Sequence, residues 1–210
     1  MRNLRVLIRT TLSSKFLAIC IFLGGQNFQL QSQNSITDNH FLPKNTTVND
    51  ILISEVAEGD NQYHSFIELY NPTASTINLA TGAYYLSIET SQGNITNVAL
   101  SGTIPSNESY ICTRNLFWLF IYIDLFEYQY GFTSDQKNNS WVLDGYDAVI
   151  LYKGGPSGSG TRIDVYGELG QSGSGRSWQY VNAHAVRKRD VLSPNSTWNQ
   201  EEWVVVAGAS

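Results

Sequence analysis

The sequence predicts an all-β sandwich. Short runs rich in β-branched and aromatic residues recur about every ten residues, and clusters of Gly, Pro, Asn, Asp and Ser separate them. Such a succession of short strands and turns is typical of two packed antiparallel sheets. The predicted strands are 51–57, 65–70, 84–89, 95–100, 109–113, 147–152, 161–166 and 183–187.

Alternation within the strands predicts which side chains enter the core. In residues 65–70, Ile67 and Leu69 share one face, whereas Phe66, Glu68 and Tyr70 share the other. Applied along the chain, this reasoning predicts a core that contains Ile53, Ile67, Leu69, Leu86, Val149, Leu151, Trp198 and Trp203.

Turn residues delimit these strands. Asn71 and Pro72 end the second strand, because proline has no amide hydrogen for the sheet ladder. Asp144 and Gly145 predict a hairpin turn of type I′, in which glycine supplies the positive φ.

Residues 1–32 have the order of a secretory signal: four basic side chains, an apolar run at 16–23, then a polar end at Ser32. Eight apolar residues span about 12 Å as a helix, well short of the ~30 Å hydrocarbon core. We therefore expect cleavage after Ser32 and export to the medium or the cell surface, with no transmembrane span after signal removal. Bulky Ile19 disfavours lipidation of Cys20.

The predicted organisation is a signal at 1–32, a flexible polar leader at 33–49, the sandwich at 50–206 and a tail at 207–210. All four charges of the signal are positive, so the remainder carries 9 basic and 18 acidic side chains, a net charge of −9. Such a surface repels phosphate, which disfavours nucleic acid as a partner. Cys112 is then the single cysteine, and we expect a small buried side chain rather than a disulfide.

The segment 116–126 departs from strand alternation, because every residue in it except Asp124 is apolar or aromatic. It is about half the length of a membrane span. One interpretation is a short apolar helical or irregular insertion around 115–130, packed over the sandwich. The other is an exposed surface for a partner or a glycan, formed by Phe117, Trp118, Phe120 and Tyr122.

The sequence predicts no catalytic centre and no cofactor. His40, His64 and His184 are far apart and have no cysteine or carboxylate at metal-ligand spacing. Glu55 and Glu68 are a glycosidase pair by residue type alone. Glutamates on solvated strand faces are common, so this pairing by itself carries little weight.

Four carboxylates form a candidate calcium site, for which turn chemistry is the alternative explanation. Oxygens of Asp144, Asp147, Asp164 and Glu168 could converge on a hard cation. Turn chemistry also explains Asp144 and Asp147, and no Asp-x-Asp-x-Asp-Gly loop is present.

Residues 187–189, Arg-Lys-Arg, form the one basic cluster, and Trp178 and Tyr180 precede it. Charge with aromatic residues suits single-stranded nucleic acid, but three charges make a small patch on an acidic chain. Strand alternation predicts that Arg187 and Arg189 face one side and Lys188 the other.

Several blocks, taken in order, resemble the lamin-tail domain. They are Ile53-Ser54-Glu55-Val56, Ile67–Pro72, Leu143–Gly155, Asp164–Gly170, Arg187-Lys188, Ser193–Trp198 and Glu202-Trp203. The resemblance implies an immunoglobulin-like β-sandwich used for attachment and recognition, found in nuclear lamins and in secreted bacterial proteins. It also implies a structural role for Arg187-Lys188, with Trp198 and Trp203 closing one end of the core.

Three classes of function follow. The first is a secreted non-catalytic module for protein binding, adhesion or cell-surface attachment. The second is a small secreted hydrolase, or an accessory subunit of an extracellular nuclease or phosphatase. A structural subunit that assembles through 116–126 is a third. The sequence offers no nucleophile–base pair or metal constellation, which favours the first.

Overall fold

The computed structural model describes residues 48–59, 64–114 and 125–207, and these form an all-β sandwich. One short helix, α1 (Leu125–Tyr130), and one 3₁₀ turn, Gln200–Glu202, accompany the strands. The strands of this part of the chain are β1 (Leu52–Ala57), β2 (Phe66–Tyr70), β3 (Ile77–Asn78), β4 (Tyr85–Glu89), β5 (Ile95–Ala99), β6 (Thr103–Ile104), β7 (Ser109–Arg114), β8 (Gln136–Asn138), β9 (Ala148–Lys153), β10 (Thr161–Tyr166), β11 (Ala183–Arg187) and β12 (Trp203–Ala207).

The strands form two main sheets and a small ribbon. The six-stranded sheet has the order β12-β11-β1-β2-β7-β8, and the four-stranded sheet has the order β10-β9-β4-β5. Strands β3 and β6 pair with each other. Neighbours are antiparallel except β7 and β8, which run parallel.

Each of the eight predicted strands is present, with ends that differ by at most one residue. The sequence reasoning missed β3, β6, β8 and β12. The first three are two or three residues long, which is too short for a periodic signal. Strand β12 is longer, with five residues.

The core lies between the two sheets. Side chains of both sheets contribute to one buried cluster, among them Ile53, Ile67 and Leu69 from one sheet and Leu86 and Leu151 from the other. Seven of the eight predicted core residues are buried, and the eighth, Trp198, is partly buried against the same cluster. The predicted facing of the strands is therefore confirmed.

The outer face of the six-stranded sheet is also partly covered. Phe66 and Ala57, on the outer face of the six-stranded sheet, form a separate apolar cluster with Phe126 of α1. The predicted helical insertion is confirmed for 125–130. Residues 115–124, including Phe117, Trp118, Phe120 and Tyr122, lie outside the described residues.

The turn at Asp144 and Gly145 does not form a hairpin, so that prediction is wrong. Gly145 has the predicted positive φ of 80°, but the flanking strands β8 and β9 belong to different sheets. The reason for glycine is close packing instead, because a Cβ here would lie 2.5 Å from the Val181 backbone. Tyr180 N–H also donates to the Gly145 carbonyl at 2.9 Å.

Within the described ranges, α1 and the other helical turn are too short and too polar to span a bilayer.

Candidate functional site

A β-bulge in β1 concentrates polar side chains on the outer face of the six-stranded sheet. The β1–β2 register shifts between Ile53 and Glu55, which places Glu55 opposite Glu68. Ser54 donates a hydrogen bond to the Glu68 carboxylate. Glu55 Oε1 lies 2.6 Å from His184 Nδ1, on the neighbouring strand β11. Bulges commonly redirect side chains in this way.

Aromatic rings lie directly beside this polar group. The Phe66 ring contacts the His184 ring edge-on, with 5.7 Å between centroids. Phe66 also contacts Phe126 and Tyr130 of α1 at 5.8 and 5.5 Å. Phe126 is the one member of 116–126 whose side chain the structure describes, and it is buried. The predicted exposed surface therefore does not extend to this end of the segment.

Strand β12 supplies an apolar surface that the sequence reasoning missed. Val204, Val205 and Val206 are 48%, 36% and 52% exposed. A strand packed on a core buries every second side chain, so three exposed residues in succession show that both faces of β12 are open to solvent. The sequence feature that could have revealed this strand was the uncharged run at 204–207, which follows the core residue Trp203.

The predicted basic cluster does not exist as a surface patch, because Arg187 is buried between the sheets. Its guanidinium makes two hydrogen bonds, of 2.8 and 2.9 Å, to the two Asp164 oxygens of β10. Lys188 and Arg189 are exposed in the loop after β11. The predicted shared facing of Arg187 and Arg189 is wrong, since the strand ends at Arg187.

Asp164 is the centre of a buried network, here called the Asp164 cluster. Its carboxylate also accepts from the backbone N–H groups of Ile53 at 2.7 Å and Asn195 at 2.8 Å. Arg187 lies 3.2 Å from Glu202 and stacks over the Trp203 ring at 4.6 Å. Burial raises the pKa of the Asp164 carboxyl, and the charge of Arg187 opposes that rise. The cluster joins the sheets and is inaccessible to a ligand.

The four candidate calcium ligands are not brought together. Asp164 is bonded to Arg187, whereas Glu168 pairs with Arg176 at 3.0 Å on the surface. Asp144 and Asp147 remain together in one turn, where Asp147 accepts from the Asp144 N–H at 2.9 Å. The described residues contain no group of three or more His, Cys, Asp or Glu side chains placed to hold a metal ion.

The surroundings of Asp147 shift the pKa of its carboxyl strongly. Asp147 is buried, and its Oδ1 has no hydrogen-bond partner. Burial raises its pKa from 3.8 to about 7, the Asp144 N–H opposes the rise, and the charge of Asp144 adds to it. Tyr180 and Trp178 next to this turn are also buried, which explains the low polarity around it.

This pKa predicts a pH dependence of stability. Between pH 3.8 and about 7 the folded Asp147 binds more protons than the unfolded one. Stability therefore falls as pH rises through this window, by at most about 1.4 kcal/mol per pH unit. Asp147→Asn is expected to flatten this slope, as measured by urea unfolding at a series of pH values. An equally steep slope in the variant would assign the dependence to other groups.

No family model matches the chain, and no curated protein matches it.

Proposed function

We propose that the chain is a secreted, non-catalytic module of the lamin-tail type, with an immunoglobulin-like topology. Its role is to bind a protein or a cell surface. The observation that carries this proposal is the convergence of separate sequence blocks on the Asp164 cluster.

Five of the blocks that resemble the lamin-tail domain meet there. They contribute Ile53 N–H, the Asp164 carboxylate, the Arg187 guanidinium, Asn195 N–H, and Glu202 with Trp203. These residues are up to about 150 positions apart in the chain. A set of blocks that depend on one another for buried hydrogen bonds favours a shared fold over independent chance matches.

The described polar groups favour binding over catalysis. Cys112 is buried, and burial raises the pKa of its thiol, which therefore stays protonated and unreactive. Ser54 is buried and bonded to Glu68, while His184 is paired with Glu55. Catalysis by a nucleophile and a general base requires the two groups to contact each other and the substrate. Ser54 and His184 do not contact each other in this way, because each is bonded to a glutamate instead.

The proposed contact surface comprises Phe117, Trp118, Phe120 and Tyr122. These residues precede α1, whose Phe126 is fixed against Phe66 on the outer face. Contiguous exposed aromatic side chains are typical of interaction sites, because they bury much apolar area with little loss of conformational entropy.

The test compares a double substitution with a single substitution nearby in sequence. Phe117→Ser with Trp118→Ser is expected to leave the melting temperature nearly unchanged and to abolish saturable binding of labelled protein to cells of the source organism. Phe126→Ser is the matched control. It removes a buried ring, and we expect a loss of about 3–5 kcal/mol in the free energy of unfolding.

Two results would contradict the proposal. If the double variant is destabilised as much as Phe126→Ser, then Phe117 and Trp118 are interior residues and not a contact surface. Reproducible hydrolysis that is lost on changing Asp147 or Glu168 would replace the binding role with an enzymatic one.

A further inference from the structure

The free edge of β12 lacks the features that protect sheet edges. Strand β12 pairs with β11 through all five of its residues, without a register shift, and ends the order of the six-stranded sheet. Its sequence, Trp-Val-Val-Val-Ala, contains no charge and no proline. An uncharged, regular edge presents unpaired N–H and C=O groups and is a template for another strand.

The other sheet edges in the described part of the chain differ. Strand β8 has three residues, including Lys137, and β10 contains Arg162 and a register shift. Strand β5 is contacted by the loop after β9, where Ser157 N–H donates to the Asn97 side chain at 3.3 Å. Short length, charge and irregularity each disfavour the addition of a strand. Strand β12 is therefore the edge most open to pairing.

We propose that β12 pairs antiparallel with β12 of a second copy of this chain, about a two-fold axis at Val205. Val204 of each copy then lies opposite Val206 of the other, and the two six-stranded sheets become continuous. This isologous contact uses the same edge on both copies, so it closes as a dimer and does not propagate.

Self-pairing of β12 with a second copy brings no like charges opposite each other. Glu201 and Glu202 precede the paired residues, so in this register neither glutamate faces its counterpart. Like charges directly opposite destabilise a strand pair, and here only valines and small or aromatic residues meet. Strand β12 of the second copy is also available in every solution of the protein, with the same exposed valines.

The contact involves one short strand from each copy. Interfaces well below about 1,200 Å² are weak and transient, so the dimer is expected to form reversibly with concentration. The inference is independent of the proposed cell-binding role, because it concerns β12 and self-association alone.

Sedimentation velocity of the exported chain, from low to high micromolar concentration, tests the proposal. We expect a reversible shift from monomer to twice the monomer mass. Val205→Lys places two like charges opposite each other at the axis and is expected to keep the protein monomeric throughout. A mixture of Val205→Lys and Val205→Glu is expected to restore the dimer.

Ile95→Lys is the matched control, because Ile95 is similarly exposed on another edge strand, and it is expected to dimerise like the wild type. We also expect the backbone amides at 203–207 of the wild type to exchange hydrogen more slowly at high protein concentration. This measurement needs no variant. A wild type that stays monomeric overturns the proposal. So does a dimer that survives Val205→Lys and is lost with Phe117→Ser and Trp118→Ser.

Discussion

Replacing Arg187 by Met is expected to lower the free energy of unfolding by about 3–5 kcal/mol, because it leaves a buried carboxylate without its counter-ion. Asp164 is fully buried and bridges the two sheets through Arg187. The measurement is chemical unfolding at neutral pH. Methionine keeps the length and much of the volume of the arginine side chain, so the loss reports the charge and its hydrogen bonds rather than a large cavity.

The chain offers a matched control in Arg176→Met. Arg176 pairs with Glu168 at 3.0 Å, but both side chains are more than 40% exposed. Exposed pairs of this kind contribute about 0–1 kcal/mol. A similar loss at Arg187 and Arg176 would contradict the assignment of the Asp164 cluster as the connection between the sheets.

A second variant separates the charge from the packing. Adding Asp164→Asn to Arg187→Met removes the uncompensated carboxylate, so the double variant is expected to be less destabilised than Arg187→Met alone. Recovery remains partial, because the Ile53 and Asn195 N–H groups then lose a charged acceptor. A double variant that is less stable than the single one would show that those two bonds dominate.

The strands were predictable from sequence because β-branched and aromatic residues alternate with polar ones over five or six positions. This is clearest in β2, where Ile67 and Leu69 are buried and Glu68 is partly exposed. Strand β8 could not be found in this way. It is a polar run, Gln-Lys-Asn, whose parallel pairing with β7 depends on residues distant in sequence.

The position of Arg187 was not predictable from charge patterning, which grouped residues 187–189 as one small basic cluster. Its burial depends on Asp164, 23 residues earlier and on the opposite sheet. A register shift between Arg162 and Asp164 accompanies this placement, and single-sequence periodicity does not reveal such a shift. The expected convergence of the four candidate calcium ligands failed for the same reason, because the sequence did not reveal that Asp164 binds Arg187.

In β12 the structure shows an apolar run that is exposed rather than buried. A run of three valines normally predicts a buried strand, and only the structure shows that β12 extends beyond the core on both faces. Local sequence therefore predicted which residues form strands better than it predicted what covers them.

The second large effect is expected in the core, for Leu69→Ala and for Leu151→Ala. Both side chains are 0% exposed and belong to the same buried cluster, although Leu69 lies in the six-stranded sheet and Leu151 in the four-stranded one. Truncation of a buried leucine costs about 2–5 kcal/mol, through lost burial and the cavity left behind. The same change at Leu192, which is 39% exposed, is expected to stay within about 0.5 kcal/mol.

The shape of the unfolding curve carries a further expectation. Because the two sheets share one core, neither has an apolar face that it can bury without the other. Each substitution should therefore shift one cooperative transition, with tryptophan fluorescence and circular dichroism giving the same midpoint. If Leu69→Ala instead produces two transitions, the sheets are separately stable. Near-wild-type midpoints for both variants would mean that the facing of β2 and β9 is wrong.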